Sequence, residues 1–145
     1  MDESSNSEID SVIATLYGAF DNRGPRKPAT AELRKVYVAG GGVIRVSVDG
    51  MDSWTIEEFL LSRDAMLTDG TLVEFHEWET SSATTVFENI ASRKSHYAKA
   101  GTRHGAAYTG KGRKFIQLCR ADGRWLIASV LWEDALTTQP GAHPR

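Results

Sequence analysis

His96, near the end of the run IASRKSHY (Ile90 to Tyr97), is the side chain best suited to move a proton. An imidazole titrates near neutrality and can accept a proton from a carbon acid. With Glu88-Asn89 as a hairpin turn, Ile90, Ser92, Lys94 and His96 alternate onto one strand face. A histidine near a strand end serves equally well to satisfy its neighbours' hydrogen bonds. His76 and Glu79, in HEWE, suggest a metal site with His96 or His104. Residues three apart on a strand point to opposite faces, so that pair cannot chelate, and no metal is expected. His76 does share a face with Trp78, and Arg93 with Tyr97; such residues suit a subunit interface. Arg63 falls on an apolar helical stripe, from which its head either meets an anionic ligand or snorkels to solvent. Cys119 reads as a small buried hydrophobe. The glycines of YTGKG lack the strand-to-helix context of a phosphate loop and read as a turn.

The whole chain sets bounds on this chemistry. Its 145 residues make one domain, and 41% apolar with 25% charged residues is ordinary globular composition. A net charge of −2 gives no basic footprint for nucleic acid. One cysteine excludes an internal disulfide and a Cys-rich metal centre. The start, MDESSNSEID, is acidic where a secretory signal would be basic and then apolar, and no apolar run approaches a membrane span. A soluble, cytoplasmic protein without a cofactor or membrane partner is expected.

Elements that could position these groups follow from periodicity. Ile9, Val12, Ile13, Leu16, Tyr17 and Phe20 form a helical stripe, with Ser7 as N-cap and NRGP as the stop. Thr30 caps a short helix carrying Leu33, Val36 and Tyr37 on one face, ended by Gly40 to Gly42. VIRVSV is a strand closed by Asp49-Gly50. A third helix carries Ile56, Phe59, Leu60, Met66 and Leu67, with Thr55 and Glu58 at capping-box spacing and Asp69-Gly70 at its end. From Thr71 the pattern turns to strands, about four of them in a meander. The domain should span residues 7–136, with mobile ends at 1–6 and 137–145. The fold class is α+β, helices segregated to one face of an antiparallel sheet.

This order, with LRKVYVAGGGVIRVS, WTIEEFL, VFENIASRKSHY and DGRWLIASVLWEDA, resembles the nuclear transport factor 2-like superfamily in its ketosteroid-isomerase and SnoaL-like branch. The resemblance implies a cone of three helices and a strongly curved sheet around an internal pocket, and directs the His96 face inward. It does not imply steroid isomerisation. The tyrosine counterpart on the first helix is Leu16, with Tyr17 one position off. The strand that should supply the base, VIRVSV, has no carboxylate, and the second acid falls near Ile116.

The last hairpin decides which side chains meet in that pocket, because a slip of one residue swaps faces. A three-residue Ala-Asp-Gly turn pairs Arg120 with Arg124. Lys114, Ile116 and Leu118 then share a face with Leu126, Ala128, Val130 and Trp132, while Trp125 packs on the opposite side. A two-residue Asp-Gly turn would exchange the roles on one strand. The expected cavity is bordered by Tyr17, Trp54, Leu118, Ala128 and Trp132 as ligand-binding residues, with His96 as general base should there be a reaction. Three functions compete: a binder of a compact hydrophobic or aromatic compound, a cofactor-independent isomerase, dehydratase or hydrolase, and a noncatalytic dimeric module. Apolar residues on both faces of the late strands point to a homodimer through the outer sheet face.

Overall fold

The computed structural model describes residues 3–135. The tail from Thr137 onward, expected to be mobile, lies outside them. Among the described residues the order is α1 (Glu3–Gly18), α2 (Thr30–Lys35), β1 (Tyr37–Ser47), β2 (Gly50–Thr55), α3 (Ile56–Thr68), β3 (Leu72–Phe87), β4 (Ile90–Arg103), β5 (Ala106–Ala121) and β6 (Arg124–Asp134). The strands form one curved sheet in the order β2-β1-β6-β5-β4-β3. Every pairing is antiparallel except β1 with β6. The expected α+β architecture, three helices on a mostly antiparallel sheet, is what the chain adopts.

Local signals placed the helices well. All six apolar residues of the α1 stripe are buried, each worth about 1.5–3 kcal/mol for its side chain. The helix starts earlier than expected, at Glu3. Ser7 is therefore not its N-cap. Ser5, inside the added turn, is buried and accepts the Trp125 Nε1–H at 3.3 Å. α3 has the capping box: Thr55 Oγ1 accepts the Glu58 N–H at 3.2 Å, and the Glu58 carboxylate accepts the Thr55 N–H at 2.8 Å. Its end at Asp69 is followed by Gly70 at φ 91°.

The glycine run is the first departure. Tyr37 is not on α2 but opens β1, which passes through Gly40 to Gly42. Pairing with β6 gives this segment its hydrogen bonds, and Gly40 at φ 74° takes up the irregularity between Tyr37 and Gly42. At Gly41 a Cβ would lie 2.7 Å from the Tyr37 ring and 2.8 Å from the Ala128 carbonyl, so only glycine fits. β2 is a second departure. GMDSWT lacks alternation, yet it pairs with β1 in full register.

The late hairpins settle the faces. Phe87 pairs with Ile90 around the expected Glu88-Asn89 turn. Ala91, Arg93, Ser95, Tyr97 and Lys99 are the buried residues of β4, facing the helices. Ile90, Ser92, Lys94 and His96 hence lie on the convex face, the reverse of the expectation. In β5–β6, Asp122 (φ 53°) and Gly123 (φ 77°) make a two-residue turn, and Ala121 pairs with Arg124. A bulge follows: Gln117 pairs with Ser129 but Leu118 with Ile127, leaving Ala128 as the extra residue. Ile116, Val130 and Trp132 therefore share the concave face as expected. Trp125 and Ile127 join them, and Leu126 does not. Trp125, 1% exposed, packs under α1 on that face and not on the opposite one.

Candidate functional site

Between the helices and the concave sheet lies a cavity of about 140 Å³. Its apolar wall comes from Leu16 of α1 and Phe20 just past its end, Leu33 of α2, Ile56, Phe59 and Leu67 of α3, and Leu72 and Phe75 of β3. The aromatic residues are organised. Trp54 and Trp132 stack with centroids 6.0 Å apart at 12°. Phe59 meets both edge-on, at 5.3 Å and 5.6 Å. Such pairs add roughly 0.5–1.5 kcal/mol each beyond area burial and hold the wall rigid.

The opposite wall is polar and built by the strands. Lys114 Nζ of β5 donates to Glu77 of β3 at 2.8 Å. Lys99 of β4 donates to Asp134 of β6 at 3.0 Å and to the Tyr108 hydroxyl at 3.1 Å. The Tyr97 hydroxyl donates to Asp134 through a very short bond. Gly112 of β5 makes this possible, since a Cβ there would collide with the Tyr97 hydroxyl and the backbone of β6. Burial pushes the Tyr97 phenol up, and the Asp134 hydrogen bond and charge push it further. Burial disfavours the Lys99 ammonium, but the Asp134 carboxylate and Tyr108 outweigh that and raise it on balance. Lys114 Nζ also lies 4.9 Å from the centroids of the Tyr17 and Tyr97 rings.

Of the six residues expected around the cavity, Trp132 lines it. Trp54 stands behind Trp132 as its stacking partner. Tyr17 is buried beside the site with its hydroxyl on Ser95 Oγ at 2.6 Å, and Leu16 takes the lining position. Leu118 is core, paired with Ile127, and Ala128 sits in the bulge. His96 is paired with Ser81 and Arg113 on the convex face and does not reach the cavity. The cause is the parity of β4. Three of its inward residues, Arg93, Ser95 and Lys99, are polar, and the carboxylates that bond to them, Glu79 and Asp134, reach them only through strand register. Glu77, Lys99, Arg103, Tyr108 and Asp134 were not anticipated; Arg63 was, and it does line the cavity. No group of side chains suited to a metal occurs among the described residues.

No family model matches the sequence, and no curated protein matches it. Solved structures do. A nuclear transport factor 2-like superfamily protein from Salmonella enterica superposes with a TM-score of 0.74 at 14% identity, covering 94% of this chain and 95% of its own. A protein from Kribbella flavida gives 0.76 at 15% identity over 92% of each chain. A protein of unknown function with a cystatin-like fold from Nostoc punctiforme gives 0.71 at 15% identity, over 93% and 94%. The fold is thus the nuclear transport factor 2-like, cystatin-like cone. At this identity the likeness extends to fold, and function has to be argued from the site.

Proposed function

We propose that this protein binds a compact small molecule with an apolar or aromatic body. The observation that carries this reading is the cavity walled by Phe20, Phe59, Phe75, Tyr108 and Trp132. Its 140 Å³ is close to the roughly 150 Å³ that suffices for a benzene ring in an apolar protein cavity. Concave, largely apolar sites with a few converging polar groups are what small ligands occupy. An enzyme using His96 as base has no support, since that side chain faces away from the cavity.

Saturable binding of benzyl alcohol or benzamide, followed by the fluorescence of the stacked Trp54 and Trp132, is the expected result. Trp132→Ala deletes the wall that the ring would meet and should weaken every such compound by about tenfold, or roughly 1.4 kcal/mol. Binding unchanged in Trp132→Ala, or none in the parent protein, would refute the reading.

The convex face supports a homodimer as part of the same proposal. Phe87 (69% exposed), Ile90 (60%), Phe115 and Leu131 pair across neighbouring strands there, with Trp78 further along β3. An apolar face of that kind is typically covered in a stable protein. Light scattering should give twice the chain mass, and Phe115→Asp, which places a charge in the middle of the face, should give a monomer. A monomeric parent protein would count against it.

A further inference from the structure

The charges around the cavity do not balance. Five cationic side chains, Arg45, Arg63, Lys99, Arg103 and Lys114, line it against two carboxylates, Glu77 and Asp134. Lys114 and Lys99 are already paired with those two, at 2.8 Å and 3.0 Å. Arg45 bonds to Asp52 at 2.6 Å. Arg63 and Arg103 have no ion-pair partner among the described residues.

Arg63 is held in place without being neutralised. Its guanidinium lies 4.5 Å from the Phe59 ring centroid and 5.9 Å from that of Trp54. Nη1 donates to Met66 Sδ at 3.3 Å, and a thioether is a weak acceptor. A guanidinium carries five N–H donors in a planar fork whose spacing matches a carboxylate. Burial disfavours its charge; Glu77 offsets part of that, while Arg45 and Arg103 add to it. Arg45 and Arg103 line the same cavity as Arg63. Arg103 is steadied by the Tyr108 ring, 5.5 Å away. A half-buried, unpaired cation that shares a cavity with a second unpaired one is unfavourable until an anion joins it.

We propose that the cavity takes a compact monocarboxylic acid of about single-ring size, its carboxylate held by Arg63 with Arg103 and its apolar body against Phe59, Phe75 and Trp132. The inference rests on the small-molecule reading above and names the ligand class of that site. The cavity, at about 140 Å³, has room for one ring and little more.

Benzoate and benzamide share a shape and differ in charge at neutral pH, so titrating both by calorimetry isolates the carboxylate. Benzoate should bind at least tenfold more tightly than benzamide, and added sodium chloride should weaken benzoate alone. Arg63→Gln keeps a planar polar head and should bring benzoate down to the benzamide level, leaving benzamide within about twofold. Arg103→Gln, at an exposed position where folding is not at stake, should lower benzoate several-fold and leave benzamide unchanged. Equal affinity for the two compounds in the parent protein overturns the carboxylate site while leaving the small-molecule reading intact. So does an equal loss of both in Arg63→Gln. Phenyl phosphate binding more tightly than benzoate would overturn the choice of carboxylate. Binding of none of these compounds would overturn the inference together with the reading beneath it.

Discussion

Arg93→Ala should destabilise the fold by about 3–5 kcal/mol, a large share of the 5–15 kcal/mol that holds a typical domain together. The side chain is 7% exposed and bonds in three directions. Nε and Nη2 donate to the two oxygens of Glu79 at 3.1 Å and 2.5 Å, in fork geometry. Nη1 donates to Asp10 of α1 at 2.6 Å and to Thr84 Oγ1 at 3.2 Å. Glu79 also accepts the Ser95 hydroxyl at 2.5 Å, which leaves the Tyr17 hydroxyl as donor to Ser95. Removing Arg93 leaves Glu79 as an uncompensated, largely buried carboxylate and cuts one of the polar links between α1 and β4, that to Asp10. The contrast variant is Asp10→Asn. Its carboxylate is 66% exposed, so losing that charge should cost under about 1 kcal/mol. Urea midpoints of the two variants test the argument. A loss below about 1 kcal/mol in Arg93→Ala would show the network to be dispensable.

That network also explains how much of the molecule was legible in the sequence. α1 and the capping box of α3 were readable because a helix buries one stripe and caps itself with neighbours in sequence. The three glycines read as a helix stop because nothing local reveals that β6 will pair with them. In β4 the turn at Glu88-Asn89 was legible and the inward face was not. Arg93, Ser95, Tyr97 and Lys99 face the helices because Glu79, Tyr17 and Asp134 satisfy them there. No rule that sends apolar residues inward finds such a face. In β5–β6 two irregularities nearly cancel, so Trp132 was placed correctly although the turn was one residue shorter than expected. Arg63 was visible as a charge on an apolar stripe. Glu77, Lys99 and Asp134 are far apart in sequence and meet only through strand register.

The same buried polar groups should make the fold fail steeply in alkali. Tyr17, Tyr37 and Tyr97 are between 1% and 6% exposed. Burial raises all three phenols. For Tyr17 burial is the largest cause, and the Glu77 and Glu79 carboxylates add to it. Tyr37 is raised by burial alone, its hydroxyl donating to the Gly42 carbonyl at 2.7 Å. Tyr97 adds the Asp134 carboxylate to its burial. An unfolded tyrosine loses its proton near about pH 10, while these three keep theirs in the native state. Above that pH the native chain binds more protons than the unfolded one, so stability falls as pH rises. The slope is about 1.4 kcal/mol per pH unit for each phenol, roughly 4 kcal/mol per unit for the three together. Lys99 acts in the same direction. Raised in the folded state by Asp134, it contributes its full stabilisation below its unfolded value and loses it as pH climbs through the folded one. Urea midpoints measured from about pH 8 to about pH 12 should be level at first and then drop sharply beyond about pH 10. Tyrosinate absorbance from these three should appear with unfolding and not before it. Tyr97→Phe, which removes one of the three phenol titrations, should reduce the phenols' share of the alkaline slope by about a third even though it lowers stability at neutral pH. A level midpoint throughout that range, or tyrosinate forming in a chain that is still folded, would mean that these hydroxyls are not sealed in the core as their burial requires.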